Sequence, residues 1–152
     1  MTTSSALETL LDLARTRTDD AAKRLGMLCA QGVHMEAKLD LLLQYREDYR
    51  ARFQDLMRQG LTASGWRNYQ SFLDKLDDAI AQQQNAVLST QQRVAAGKAA
   101  WQSAKRTSSS YETLAQRRQR LESQHSAKRE QRETDEYTSG SFIRQTPSPD
   151  IR

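Results

Sequence analysis

The chain has 152 residues, about the size of one domain, and only 37% of them are apolar, which is low for a compact globular core. Its net charge of +4 is too small to indicate nucleic-acid binding by itself, and the single cysteine, Cys29, excludes an internal disulfide and fits a reducing compartment. The sequence has neither a run of about 18 apolar residues nor a signal-peptide pattern, so we expect no transmembrane segment and a protein kept in the cytosol.

The first predicted element is a long helix over about residues 5–58. Ser5 and Glu8 have the spacing of a capping box, which predicts the start of the helix. No proline occurs before Pro147, so nothing earlier forbids continuous helix. Apolar residues then recur with the heptad period of a coiled coil. The a and d positions, among which Gly32 and Arg46 are the weakest, are Leu7, Leu11, Ala14, Thr18, Ala21, Leu25, Leu28, Gly32, Met35, Leu39, Leu42, Arg46, Tyr49, Phe53 and Leu56.

A glycine-containing segment, residues 59–65, follows the first helix and is predicted to be a turn. Gly60 and Gly65 favour a change of chain direction, and Thr62 or Ser64 can cap the next helix. A second helix, over about residues 66–137, begins with the same heptad period. Its a and d positions are Trp66, Tyr69, Leu73, Leu76, Ile80, Gln83, Val87, Thr90, Val94, Gly97, Trp101 and Ala104.

Two long amphipathic helices joined by a short turn bury both apolar faces when they lie antiparallel. We therefore predict an all-α fold, a long antiparallel two-helix coiled-coil hairpin. Two extended helices that pair between chains are the alternative, which the glycines of the turn disfavour. In the hairpin Ser5 would face roughly Gln116, and the helix beyond would be single and unpaired. That part carries much of the positive charge, as Arg117, Arg118, Arg120, Lys128, Arg129 and Arg132.

The second helix has two weak points towards its C-terminal end. Thr107–Ser110 is a run of poor helix formers, where the heptad phase is expected to slip at a kink or a strained continuous stretch. Thr138–Gly140 is expected to end the helix after Tyr137. Residues 138–152 are then predicted to be a disordered tail.

The sequence contains no pattern of residues that indicates catalysis, so we expect a protein that is not an enzyme. Cys29 and His34 do not form a set of about four converging zinc ligands, and His125 is distant from both in the hairpin. No glycine-rich phosphate-binding loop is present. Carboxylates such as Asp48 and Asp77 are expected on exposed faces of a two-helix rod that has no pocket. We expect no metal, no cofactor and no small-molecule substrate.

Near the turn the sequence has more apolar residues than a two-helix seam requires. Tyr45 and Phe72 lie at flanking positions, where Tyr45 would face Leu76 and Phe72 would face Tyr49. One interpretation is a thicker seam with rings lying over its edges. The other is a docking surface, because exposed aromatic clusters with polar rims mark many interfaces. The basic residues of the unpaired helix are either solvated or bind an acidic protein surface, and the aromatic interleaving of a nucleic-acid site is missing.

These features together resemble the FliJ family, small coiled-coil components of the bacterial flagellar type III export apparatus. The similarity runs over about residues 1–110, and no single motif carries it. The stretches that carry it are Ala6–Leu10, Asp20–Ala22, Leu25–Gly26, Tyr45, Glu47, Tyr49–Arg50, Gly60–Leu61, Trp66, Asn68–Gln70, Phe72, Leu76, Ala79–Ile80 and Trp101, with Asp135–Tyr137 further on.

The resemblance implies an antiparallel coiled coil similar to the central stalk of rotary F-type ATPases. It also implies a stalk or coupling factor that binds the hexameric export ATPase and the cytoplasmic domain of the export-gate membrane protein, and that interacts with export chaperones. Such a protein supports flagellum biogenesis and motility without hydrolysing ATP. It would lie in the cytoplasm, associated peripherally with the inner face of the cell membrane at the flagellar base.

The resemblance also implies two sets of site residues. Export-gate binding falls on the apolar band near the turn, at Lys38, Leu42, Tyr45, Tyr49, Phe72, Leu76, Ala79 and Gln83. Binding to the ATPase ring falls on the end that holds the two termini, at Leu7, Leu10, Leu11, Leu13, Tyr111, Leu114, Arg117, Arg118 and Leu121.

Three alternatives to this function stay open from the sequence. The equivalent stalk protein of a virulence type III secretion system has the same general pattern. A structural coiled coil that associates with itself would use the same heptads. A nucleic-acid-binding rod would use the basic residues of the second helix.

Overall fold

The computed structural model of the chain describes residues 2–145 and consists of two long helices that pack against each other. Helix α1 spans Thr2–Gln59 and helix α2 spans Ala63–Gln145, and no strand occurs among the described residues. The prediction of an all-α antiparallel hairpin is confirmed. Contacts divide the chain into two units: Ala14–Arg106, called the hairpin unit below, and the residues up to Leu13 with those from Thr107 onward, called the terminal unit.

The seam of the hairpin unit follows the predicted heptad. Each a and d position of α1 from Ala14 to Phe53 is buried or half-buried, and so is each a and d position of α2 from Tyr69 to Ala104. Leu56 and Trp66, the seam positions next to the turn, stay exposed. Side chains buried in this unit include Ala14, Phe53, Leu76, Ile80, Val87 and Thr90. Because the buried stripe recurs at the heptad period on both helices, they pair along one face.

Cross-helix contacts confirm the predicted register of the hairpin unit. Phe53 stacks on Tyr69 close to the turn. Further from it, the Arg46 guanidinium donates a hydrogen bond to the Asp77 carboxylate, and a Cβ added to Gly32 would touch Thr90. Each of these pairs lies within about two residues of the position expected from a turn centred near residue 60.

The turn is shorter than the predicted segment 59–65, since only residues 60–62 lie outside the helices. Gly60 has a φ of 94°, in the left-handed region that glycine adopts without strain, and it ends α1. The Thr62 hydroxyl accepts a hydrogen bond from the Gly65 N–H over 3.2 Å, which is the geometry of an N-cap for α2. Of the two capping residues considered, Thr62 is the one that caps α2.

The terminal unit has a short packed part and a long exposed part. Leu11 and Ser108 are buried, and Tyr111, Ala115 and Arg118 are half-buried. Every side chain of α2 from Leu121 to Ser139 is exposed. These exposed residues agree with the single helix that the hairpin register predicted.

The structure corrects three predictions about helix boundaries and phase. First, α1 begins at Thr2, so Ser5 lies inside the helix and its carbonyl accepts a bond from the Thr9 hydroxyl; the capping box with Glu8 was wrong. A capping residue has non-helical backbone angles, which a residue inside a helix does not have.

The second correction concerns residues 107–110. Helix α2 passes through them without interruption, and the heptad phase does not slip, because Ser108 and Tyr111 follow Ala104 at a and d spacing. Serine can occupy a buried a position because its side chain is small. Leu114 and Leu121, the next leucines of α2, are exposed and lie off the seam.

The third correction is the C-terminal end of α2, which was expected near Tyr137. Helix continues through Gln145, so residues 138–145 are not a disordered tail; residues 146–152 lie outside the described residues. One glycine costs a helix only about 1 kcal/mol. The Thr138 hydroxyl also donates a bond to the Thr134 carbonyl within the helix, and no proline occurs before Pro147.

Candidate partner-binding surfaces

The first candidate surface is an apolar band on the hairpin unit, predicted from the resemblance and from surplus apolar residues. The eight predicted residues come from both helices, because antiparallel pairing brings the two segments side by side. Helix α1 supplies Lys38, Leu42, Tyr45 and Tyr49, and helix α2 supplies Phe72, Leu76, Ala79 and Gln83. Tyr45 and Phe72 are 55% and 45% exposed, whereas Leu76 is buried in the seam. The remaining members are Leu42, Tyr49, Ala79 and Gln83, all half-buried, and Lys38, which is exposed.

Stacked rings hold the band in place on its turn-proximal side. The Tyr49 ring lies 5.2 Å from the Tyr69 ring at 5° and 4.2 Å from the Phe72 ring, measured between centroids. Phe53 continues the stack, 3.5 Å from Tyr69 and 5.3 Å from Trp66. Each ring packs against at least one other, so the partly exposed Phe72 ring is one member of a packed aromatic cluster.

A shallow groove of about 310 Å³ runs through the band. Its lining brings together Tyr45, Tyr49, Phe72 and Leu76 from the predicted set with Asp48 and Arg52, which were not predicted as site residues. Asp48 and Arg52 follow Tyr45 by three and seven residues, so they share its helix face. That spacing was the signal in the sequence that could have identified them. The groove has an apolar floor and one charge of each sign at its rim.

Two polar side chains in or next to the band, Gln83 and Arg46, form hydrogen bonds to the opposite helix. The Gln83 side-chain amide donates a hydrogen bond of 2.9 Å to the backbone carbonyl of Met35. The Arg46 guanidinium lies 2.7 Å from the Asp77 carboxylate, which by hydrogen bond and charge raises the pKa of Arg46 above its ordinary value. Asp77, which was expected on an exposed face, is half-buried and paired with the other helix. Arg46, a weak position by its residue type, is paired across the seam.

The second candidate surface is in the terminal unit. Of the nine predicted residues, Leu11 is buried, and Leu7, Tyr111 and Arg118 are half-buried. The exposed members are Leu10, Leu13, Leu114, Arg117 and Leu121. The set therefore divides into residues that pack and residues that are accessible to a partner.

Basic residues share one face of α2 in the terminal unit. His125, Lys128 and Arg132 follow Leu121 at three- and four-residue steps and line a shallow depression with it. Glu130 and Glu133 lie on other sides of the helix. Basic side chains therefore share the helix face of Leu121, which Glu122 borders through an ion pair of 3.8 Å with Arg118, whereas Glu130 and Glu133 lie on other sides.

Neither His34 nor Cys29 belongs to a cluster of metal-ligating residues within residues 2–145. The structure brings no three His, Cys, Asp or Glu residues together as metal ligands in that range. Cys29 is a free thiol on an exposed position of α1. As to membranes, neither described helix has the length and apolarity needed to span one.

Comparison with known proteins gives a consistent result. The profile of the family described as "Flagellar FliJ protein" matches residues 3–147. The chain is 30% identical over 144 residues to a "Flagellar FliJ protein" of Salmonella typhi, a match that covers 95% of this chain and 98% of the relative. A protein of the same description from Escherichia coli strain K12 is 29% identical over 144 residues, with the same coverage of both chains.

Proposed function

Because the chain belongs to the FliJ family, and so to the components of the flagellar export apparatus, we propose that it is a stalk and coupling factor of flagellar protein export. It binds the cytoplasmic domain of the export-gate membrane protein and the hexameric export ATPase. The observation that supports this most directly is the aromatic groove of the hairpin unit, where Tyr45 and Phe72 are exposed on a rigid cluster.

The groove has the properties of a binding hot spot for the gate protein. Its rings are ordered before a partner arrives, since Tyr49 and Tyr69 stack beneath Phe72, so little side-chain entropy is lost on binding. Tyr45 and Phe72 present apolar area that a partner can cover, and a few such residues supply most of the affinity in many interfaces. Asp48 and Arg52 at the rim would orient a partner segment that has an apolar centre and polar flanks.

The gate-binding proposal is tested with the double variant Tyr45→Ala/Phe72→Ala. We expect helicity to be unchanged and affinity for the purified gate domain to fall about tenfold or more, because two partly exposed anchors are lost. Leu88→Ala is the matched control, since Leu88 is 57% exposed on α2 of the same unit and lies outside the groove. Normal binding by the double variant, measured by titration calorimetry, would show that the band only thickens the seam.

The ATPase-binding proposal rests on the accessible residues of the terminal unit. Leu114 and Leu121 are exposed on α2, and Arg117 lies between them. Leucines surrounded by cations fit a partner surface that is apolar at the centre and acidic at the edge. Binding there would stimulate the ATPase, and this chain would not hydrolyse ATP itself.

The test is the stimulation of ATP hydrolysis by the full chain carrying Leu114→Asp and Leu121→Asp. We expect stimulation to fall at least about fivefold, because two new carboxylates cannot enter an apolar contact. Ser126→Asp places one carboxylate on an exposed position on another side of α2 and is expected to leave stimulation intact. Full stimulation by the double variant would exclude this helix face from the contact.

The remaining parts of the proposal follow from the family. The protein takes part in the handling of export chaperones, and it works in the cytoplasm at the inner face of the cell membrane below the flagellum. The similarity to flagellar relatives over nearly the whole chain supports the flagellar role over that of a virulence-type stalk protein. We propose protein partners, and not nucleic acid, for both surfaces.

A further inference from the structure

Two polar contacts join α1 and α2 in the part of the hairpin unit that carries the apolar band. One joins Arg46 to Asp77, and the other joins Gln83 to the Met35 carbonyl; the partners are 31 and 48 residues apart in the chain. A backbone carbonyl inside a helix has a second lone pair, so Met35 accepts this bond without losing its helical one. The Arg46–Asp77 contact requires one particular pairing of α1 with α2. Another register would also offer Gln83 a backbone carbonyl, but not the Met35 sulfur, which lies 3.5 Å from its amide nitrogen.

The leucine-containing part of the seam, between the aromatic stack and the glycines, does not require that pairing so strictly. Leu39 and Leu42 on α1, and Leu73 and Leu76 on α2, are similar side chains at repeated heptad positions. A slip of α2 by one heptad would again place apolar residues opposite apolar residues, while Arg46 would lose Asp77. Polar residues at a and d positions specify the register of coiled coils in this way, at some cost in stability.

The turn fixes the register only where it is close. Frayed helix ends next to Gly60 could absorb a displaced pairing further along, because Leu56 and Trp66 are already exposed seam positions. The two polar contacts lie beyond the aromatic stack: Arg46 with Asp77 within the band, and Gln83 with Met35 at its end away from the turn. They therefore extend control of the register past the turn and the rings.

We propose that Arg46, Asp77 and Gln83 are positioning residues that fix the register of the hairpin and thereby assemble the groove from its two helices. The part that concerns gate binding rests on the proposed function. A one-heptad slip would move α2 by about 10 Å along α1. Tyr49 would then no longer lie beside Phe72, and the groove would lose one wall. Gln83, assigned by resemblance to partner contact, acts through the hairpin instead.

The experiment measures register directly, in the full chain with Cys29→Ser. Spin labels are attached at Ala37→Cys and Gln84→Cys, two exposed positions on facing segments of α1 and α2. The test variant carries Arg46→Leu, Asp77→Leu and Gln83→Leu, which make the seam apolar. The control variant carries Arg50→Leu, Asp74→Leu and Gln82→Leu, the same changes at exposed positions.

We expect the unmodified seam and the control to give one inter-label distance. The apolar-seam variant is expected to melt at the same or a higher temperature and to show a second distance, displaced by about 5–10 Å. The swapped pair Arg46→Asp/Asp77→Arg should keep a single distance. If half of the molecules slip, affinity for the gate domain falls about twofold, because only the native register presents the groove.

A single unchanged distance in the apolar-seam variant would overturn the proposal, whatever its stability. So would a lower melting temperature with one distance, which would mean that the contacts contribute stability alone. Failure of the proposed gate binding is separate: it would appear as normal affinity of Tyr45→Ala/Phe72→Ala and would leave the distance result unchanged.

Discussion

The two halves of the seam in the hairpin unit are built from different side chains. Next to the turn, Phe53, Tyr69 and Tyr49 form a continuous stack of rings. Farther from it, Gly32 and Gly97 lie at seam positions, and a Cβ on Gly97 would be 2.9 Å from a Leu28 methyl. The half near the turn is held by stacked aromatic rings. The other half is held by close packing of the two helices at glycines.

This difference explains why only one half carries a candidate groove. Rings at a and d positions give a flanking ring such as Phe72 a broad surface to pack on, here the Tyr49 ring, while Phe72 remains partly exposed. Small residues bring the two backbones together, so flanking side chains point away into solvent. Among the described residues of this unit, a partner finds a preformed aromatic surface only near the turn.

The largest effect is expected from breaking the stack at its centre. Phe53→Ala removes an 8% exposed ring that lies 3.5 Å from Tyr69, and should lower the free energy of unfolding by about 3 kcal/mol. Phe72→Ala, which truncates a ring that is 45% exposed, should cost about 1 kcal/mol. Urea titration followed by circular dichroism measures both. Equal losses would contradict the distinction between a structural ring and a presented one.

A smaller effect is expected from a large side chain at Gly97, where the two helices pack closely in the half away from the turn. Gly97→Leu should destabilise the chain by about 2 kcal/mol, because the new side chain meets Leu28 and Leu25 across the seam. The same substitution at Gly26 should stabilise it by roughly 0.5–1 kcal/mol, since nothing lies within 4 Å of the added Cβ and leucine favours helix. Thermal melts of the two variants should therefore shift in opposite directions.

The smallest effect concerns the one large ring in the glycine-containing half. Trp101 has no aromatic neighbour among the described residues; instead, the Lys105 ammonium lies 4.9 Å from its ring centroid. Lys105→Ala should cost about 0.5 kcal/mol, because an exposed cation–π contact is weak. Lys98→Ala, at an exposed position on the same helix, serves as the reference. A loss above about 1.5 kcal/mol would show that this lysine has a role beyond covering the ring.

Periodicity was sufficient to predict the seam and its register. The heptad identified every buried seam position of the hairpin unit, since each falls where burial on one helix face requires it. It failed at Ser108, because a pattern of apolar residues gives no signal for a buried serine that continues the phase. Propensity failed at Thr138–Gly140, where weak helix formers were outweighed by an uninterrupted helix on both sides.

The candidate groove was only partly predictable. Spacing and register placed Tyr49 opposite Phe72, and the rings do lie 4.2 Å apart. The pairing of Arg46 with Asp77 and the bond from Gln83 to Met35 depend on side-chain rotamers, which residue type and heptad position leave open. Sequence reasoning therefore assigned Gln83 a seam position and, by resemblance, a place in the gate-binding set, but did not predict that its amide bonds to the other helix.

The long exposed stretch of α2 has a consequence for how the chain melts. From Leu121 to Ser139 no side chain is even half-buried, so each turn of helix there is held by its own backbone hydrogen bonds. Such a helix shortens residue by residue on warming and does not unfold in one step. Amide hydrogens of this stretch should exchange with solvent fastest, while those of the seam wait for global opening. A partner that clamps this stretch would convert gradual fraying into ordered length, and its binding enthalpy would include that of the helix it completes.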